Sequence, residues 1–352
     1  MFDKERRAEE RLASRLAEVA ALLTAMISIV ALIGLDRTTV IAVVLPIAAI
    51  SLFVAIASRR IVEVRRIPIT IALGGSTGVG KTVFANVVSG RLSEGDSPLL
   101  AFVPETRTAQ HVYRVISGLR RGEWPPRTGS DNIDRYRGIV ELSTQSLATR
   151  LLRGRLEFEL EIGDSAGELW NEMRERESED FVRLIDSSFF EYVGEGSALF
   201  YFIDAGVLTS APAKIADQVD DLLSTLQVLR SLERGGAQTV TKPIALLISK
   251  ADLLEQHQHE LLTDLLDGKV AAHRELARES PFGASLDHLA YLSSVMDRQA
   301  GAFAVFVVSS LRDSRAMARG SESAIDADEV VRPIEWVLRT TLASTRRPWP
   351  PQ

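Results

Sequence analysis

The densest chemistry in the chain lies at Gly75-Ser76-Thr77-Gly78-Val79-Gly80-Lys81-Thr82, where Gly75, Gly80, Lys81 and Thr82 satisfy the spacing G-x-x-x-x-G-K-[ST]. A loop that wraps a polyphosphate with its backbone N–H groups leaves little room for Cβ atoms and needs unusual dihedrals, hence the glycines. Ser76, Thr77, Gly78 and Val79 complete that backbone cradle. Lys81 brings a point charge to β- and γ-phosphates, Thr82 a hydroxyl to Mg²⁺, and the following helix N-terminus a partial positive charge.

Three later clusters extend this chemistry. Leu156 to Ile162 alternates apolar and acidic residues and runs into Gly163-Asp164-Ser165-Ala166-Gly167-Glu168, a D-x-x-G at a strand end. There Asp164 is suited to hold Mg²⁺ through water and the Gly167 N–H to sense a γ-phosphate, although D-x-x-G alone is commonly a turn. Ser249-Lys250-Ala251-Asp252 follows the apolar run Pro243 to Ile248. The Asp252 carboxylate can accept from both N1–H and the 2-amino group of guanine, donors that adenine lacks, with Lys250 across the base; an ordinary helix cap at Asp252 is the alternative. Ser309-Ser310 closes the run Ala302 to Val308, where a backbone N–H suits the guanine O6.

The elements that must position these groups are legible as apolar runs. Ile67 to Leu73 reads as a buried parallel strand, Val83 to Leu92 as a helix, and Leu156 to Ile162, Ala198 to Ile203, Pro243 to Ile248 and Ala302 to Val308 as further strands. This alternation predicts an α/β fold with a doubly wound, mostly parallel sheet and helices on both faces.

In this order the residues resemble a Ras-like P-loop GTPase domain: phosphate loop, D-x-x-G, [NST]-K-x-D, and a last strand ending in small residues, covering about Arg66 to Arg346. The resemblance implies GTP and Mg²⁺ as ligands and a switch threonine between Thr82 and Asp164. Thr106 and Thr108 are the candidates, Thr108 slightly preferred, as Mg²⁺ and γ-phosphate ligand; capping of a helix that begins near Thr108 is the alternative. Arg107 beside them is a candidate arginine finger supplied in cis. More narrowly, Glu105-Thr106-Arg107-Thr108 and Gly122-Glu123-Trp124-Pro125-Pro126, behind two apolar N-terminal runs, resemble the bacterial double-GTPase group, which implies a second GTPase as partner.

Two residues depart from the pattern and predict slow intrinsic hydrolysis. Glu168 stands where many members of that family carry a water-orienting glutamine; a carboxylate only accepts hydrogen bonds and is repelled by a triphosphate. Thr77 replaces a smaller residue beside the γ-phosphate, and its methyl crowds an attacking water. The expected function is a slow Mg²⁺-dependent GTPase switch, assisted by a partner GTPase or a second copy. The alternatives are a nucleotide-holding scaffold of a membrane or secretion complex with negligible turnover, or an ATPase.

Composition narrows the field. Of 352 residues none is cysteine, which removes disulfides, thiolate zinc sites and cysteine nucleophiles. With 41 Lys and Arg against 47 Asp and Glu, the net charge of −6 argues against a general nucleic-acid binder. Apolar residues concentrate at the N-terminus: 19–35 and 39–57 are uncharged and separated by Asp36, Arg37 and Thr38. Their lengths match a bilayer, and basic residues flank both outer ends, among them Arg6, Arg7, Arg15, Arg59 and Arg65. They predict a transmembrane hairpin in the inner membrane with both termini in the cytoplasm; a buried soluble hairpin is the alternative.

The expected division is therefore a charged juxtamembrane helix (1–18), the hairpin (19–57), a linker (58–66), the nucleotide domain (67–346) and an irregular tail (347–352). Residues 180–191 and 219–232 carry apolar residues at helical spacing and read as core faces. His257 and His259, without cysteine and at alternate spacing on a helix edge, argue against a metal site, and 319–328 reads as a loop before a last helix at about 329–344.

Overall fold

A computed structural model describes residues 14–25, 27, 29, 46–56, 64–95, 100–129, 133–142, 155–167, 170, 188–232, 239–254, 262, 283–311 and 328–345. Glu168, His257, His259, residues 1–13, the loop before Asp328 and the tail after Thr345 lie outside the described residues. The chain divides into two compact units, one of residues 1–67 with 141–158, the other of 68–140 with 159–352.

In the first unit, residues 14–25 and 46–56 are helical, continuous described stretches of 12 and 11 residues. At 1.5 Å per residue they reach roughly 18 and 16 Å, against the ~30 Å of a bilayer core. The first stretch also takes in Arg15 and Glu18. No helix among the described residues is long and apolar enough to cross a membrane. The expectations of a transmembrane hairpin at 19–57, a membrane partner and an inner-membrane location are corrected accordingly.

The α/β expectation holds in a coarser form, a seven-stranded mixed, mostly parallel sheet in the order β2-β3-β4-β1-β5-β6-β7. The strands are β1 (Val64–Gly74), β2 (Leu100–Pro104), β3 (Ile133–Leu142), β4 (Arg155–Ser165), β5 (Ala198–Asp204), β6 (Val240–Ser249) and β7 (Ala300–Val307). Helices α1 (Lys81–Glu94) and α2 (Thr106–Arg120) flank β2; α3 (Ser188–Glu195) precedes β5. Then α4 (Ala205–Ser210) and α5 (Pro212–Leu232) join β5 to β6, α6 (Gly283–Gln299) precedes β7, and α7 (Arg332–Thr345) ends the described chain.

β1 pairs in parallel with β5, β5 with β6 and β6 with β7, in registers such as Gly74↔Tyr201, Asp204↔Ser249 and Ile248↔Val307. Strands buried on both faces read as continuous apolar runs rather than alternating ones, and Ala198 to Ile203 is entirely buried. Helix α1 is buried on nearly every face, with Phe84 edge-on to Phe200 and Phe202 at centroid distances of 6.2 and 5.1 Å.

The order has a functional consequence. From central β1 the chain goes out to the β2 edge, returns through β3 and β4, then crosses to β5, so β1 lies where the winding reverses. Ligands of open α/β sheets bind at the carboxyl ends of the strands at such a reversal. The loop 75–80 leaves β1 there.

Candidate functional site

Backbone geometry builds the phosphate loop first. Gly75 has φ +121° and Gly80 φ +93°, left-handed values that disfavour a side chain, and a Cβ on Gly75 would sit 2.6 Å from the Phe202 carbonyl oxygen. Gly80 also caps the start of α1, which aims that helix's first N–H groups back into the loop. Lys81 is buried, and its Nζ donates to Gly75 O at 2.6 Å and Ser76 O at 3.0 Å. The ammonium thus sits inside the loop that it would complete.

Strand β4 brings in the carboxylate. Asp164 is fully buried, and its Oδ2 accepts from Thr82 Oγ1 at 2.6 Å and from Thr128 Oγ1 at 2.9 Å, while Oδ1 has no hydrogen-bond partner. Burial pushes the carboxyl above its ordinary value, against the Thr82 hydrogen bond and the charge of Lys81. The next residue locks β4 to β1: Ser165 Oγ donates to Leu73 O at 3.0 Å and accepts from Trp170 Nε1 at 3.1 Å. Gly167 lies so close to the loop that a Cβ there would overlap Thr77 N. Thr77 Oγ1 is buried without a partner.

Around these groups lies a cavity of about 210 Å³, lined by the loop, by Thr82, Asp164 and Gly167, and by the segment Trp124 to Thr128. Among the described residues its charged lining is Lys81, Arg127 and Lys250 against Asp164. Three cations facing one carboxylate suit a polyanion. Thr82, Thr128 and Asp164 offer only hard oxygen atoms, and the partnerless Asp164 Oδ1 is an acceptor that a cation or its water satisfies; this set fits Mg²⁺. Among the described residues no group of three or more His, Asp or Glu gathers. An ion here would have one carboxylate and hydroxyls from the protein, a donor set of the kind Mg²⁺ takes beside phosphates.

A second group assembles from three strand ends. Lys250 is the one described non-glycine residue with positive φ, 57°, at the start of the short 3₁₀ turn Ala251–Leu253. Its Nζ meets Asp204 Oδ2 at 2.6 Å, and Asp204 Oδ1 accepts from Gly206 N at 2.8 Å. Ser249 Oγ lies 2.6 Å from Val79 O and 3.1 Å from Ile203 O, which ties β6 to the phosphate loop. Ser309 Oγ donates to Asp252 Oδ1 at 2.9 Å and also contacts Leu311 O, so two of the expected base-reading elements touch. Lys250 reaches the cavity; Asp252, Ser309 and the half-buried Ser310 stand outside its lining.

The candidate switch threonines are not brought to this cleft. Thr108 is buried on the first turn of α2, where its Oγ1 accepts from Arg137 N at 2.9 Å, a structural tie between α2 and β3. Thr106 and Arg107 are exposed on the same turn, outside the cavity lining. Beside Thr82, the hydroxyl that reaches Asp164 belongs to Thr128. Asp204, Arg127 and Thr128 are the groups that sequence reasoning missed. Two Arg-Thr pairs lie between Thr82 and Asp164, and the signal favouring Arg127-Thr128 is its place in the loop before β3, the strand beside β4. Comparison with protein-family models and with curated proteins finds no match to the chain.

Proposed function

We propose that this chain binds a guanine nucleoside triphosphate with Mg²⁺ at the carboxyl end of β1 and hydrolyses it slowly, working as a switch beside a partner GTPase or a second copy. The observation that supports the reading most is the convergence of Lys81, Thr82, Thr128 and Asp164 on one cavity whose charged lining, among the described residues, is three cations and one carboxylate. In this reading the loop amides and Lys81 hold the β- and γ-phosphates, and Thr82 and Asp164, with Thr128 in place of Thr108, hold the ion. An ion held there by Thr82, Thr128 and Asp164 would supply positive charge to offset the negative charge that grows as the terminal bond breaks. Gly167 presents its N–H beside the γ-phosphate, and its contact with Thr77 leaves little room for water, which favours slow turnover.

Guanine selection rests on Asp252, oriented by Ser309, with Lys250 held by Asp204. The test is competition of GTP and ATP against a fluorescent GTP analogue on the full chain, with phosphate release followed in parallel. GTP is expected to displace the probe at a concentration on the order of 100-fold below that of ATP, because a site built for hydrogen bonds rejects a ligand lacking them. Asp252→Ala should erase that difference and leave ATP binding unchanged. Equal competition in the wild type points to an ATPase, and binding without multiple-turnover phosphate release points to a static scaffold.

A further inference from the structure

The segment Trp124 to Thr128 lines the cavity, yet only Thr128 has a role in the reading above. Thr128 is anchored by its bond to Asp164, so its neighbour Arg127 is held at the same mouth. Pro125 and Pro126 fix two φ angles just before it, which lowers the entropy lost in presenting the side chain. The other cations of the cavity are engaged: Lys81 on Gly75 O and Ser76 O, Lys250 on Asp204. Glu123, four residues before it, is paired with Arg121 at 2.9 Å. Arg127 is exposed and makes no ion pair with any described residue.

We propose that Arg127, resting on the nucleotide reading above, is a catalytic residue supplied in cis, its guanidinium hydrogen-bonding the oxygens of the phosphoryl group in flight. In the step it serves, a water oxygen forms a bond to the γ-phosphorus as the bond from that phosphorus to the β–γ bridging oxygen breaks. The bonding pair stays on the β-phosphate, the water's proton passes to a phosphate oxygen, and the products are GDP and inorganic phosphate. The arginine is unchanged. It offsets charge that grows only as the bond breaks, so it contributes to rate more than to ground-state affinity. A planar, two-pronged donor matches the oxygens better than an ammonium does. The partner of the switch then need not provide a cation.

The test compares full-length wild type, Arg127→Ala, Arg127→Lys and Arg107→Ala. Single-turnover hydrolysis of Mg·GTP is measured beside binding of fluorescent GTP and GDP, and beside capture of GDP with aluminium fluoride, a mimic of the transferring group. Arg127→Ala should slow the chemical step on the order of 100-fold or more. It should also abolish aluminium fluoride capture while changing GTP and GDP affinity less than about threefold. Lysine should restore part of the rate, and Arg107→Ala should match wild type. A wild-type rate in Arg127→Ala overturns the assignment and leaves the nucleotide reading standing, as does an equal loss of affinity for both nucleotides with the rate preserved. Failure of the wild type to bind GTP removes that reading itself.

Discussion

The two ends of the cleft are built in opposite ways. At the end proposed to take the phosphates, one contiguous loop supplies much of the lining and is sealed: Lys81 is 6% exposed and Asp164 not at all. At the end proposed to take the base, single residues at or just past the ends of β5, β6 and β7 meet at a half-exposed rim, where the Lys250 and Asp204 side chains are 33% and 16% exposed. A buried charge interacts strongly and is costly to leave unpaired, whereas a rim ion pair is weakened by water and salt. The phosphate end is thus suited to supply affinity, and the rim to choose among bases by hydrogen bonds whose loss changes selectivity more than affinity.

That division can be sharpened by substitutions within the first region. Beyond the Asp252 change, which confines its effect to base choice, Thr128→Ala should reduce the Mg²⁺-dependent part of GTP affinity about tenfold, the loss of one hydroxyl near an ion. Thr108→Ala should leave nucleotide binding intact and lower stability to denaturant by about 0.5–1.5 kcal/mol, because it removes the acceptor of the part-buried Arg137 N–H. If the two effects are exchanged, Thr108 is the ion's threonine after all and the cleft closes differently.

A smaller and graded effect concerns pH. Burial raises the Asp164 carboxyl above its ordinary value, so a proton competes with the ion at a pH where an exposed aspartate would already be ionised. The protonated carboxyl cannot serve as an anionic ligand. The Mg²⁺ concentration for half-maximal GTP binding should therefore rise as pH falls, beginning above the usual titration range of aspartate, and Asp164→Asn should flatten that dependence. GDP binding in the absence of Mg²⁺ should change much less, since the loop and Lys81 carry it.

The same contrast explains what could be read in advance. The loop between β1 and α1 was legible as a turn because its signal is local: eight consecutive residues specify turn, charge and hydroxyl together. Strands β1, β5, β6 and β7 announced themselves as apolar runs. Strand β3 did not, since Arg135 and Arg137 alternate with the buried Tyr136, Gly138 and Val140 and hide a period of two. Gly138 looks like a breaker, yet a Cβ there would overlap the Phe102 ring of β2, which the gap accommodates. Without β3 the loop that delivers Thr128 could not be told from the helix start that holds Thr108. The Asp204–Lys250 pair, 46 residues apart, depends on strand register alone and left no local mark. At the N-terminus hydropathy measured the length of uncharged sequence, whereas a span needs continuous helix, and the described helical stretches are shorter.

The most direct measurement is titration calorimetry of the full chain with a non-hydrolysable GTP analogue and Mg²⁺, wild type against Lys81→Ala. One site per chain is expected, with affinity lost on the order of 100-fold in the variant as the charge-assisted bonds to phosphate disappear. Undiminished affinity in a folded Lys81→Ala protein would contradict the account, because the triphosphate would then lie somewhere other than the loop between β1 and α1.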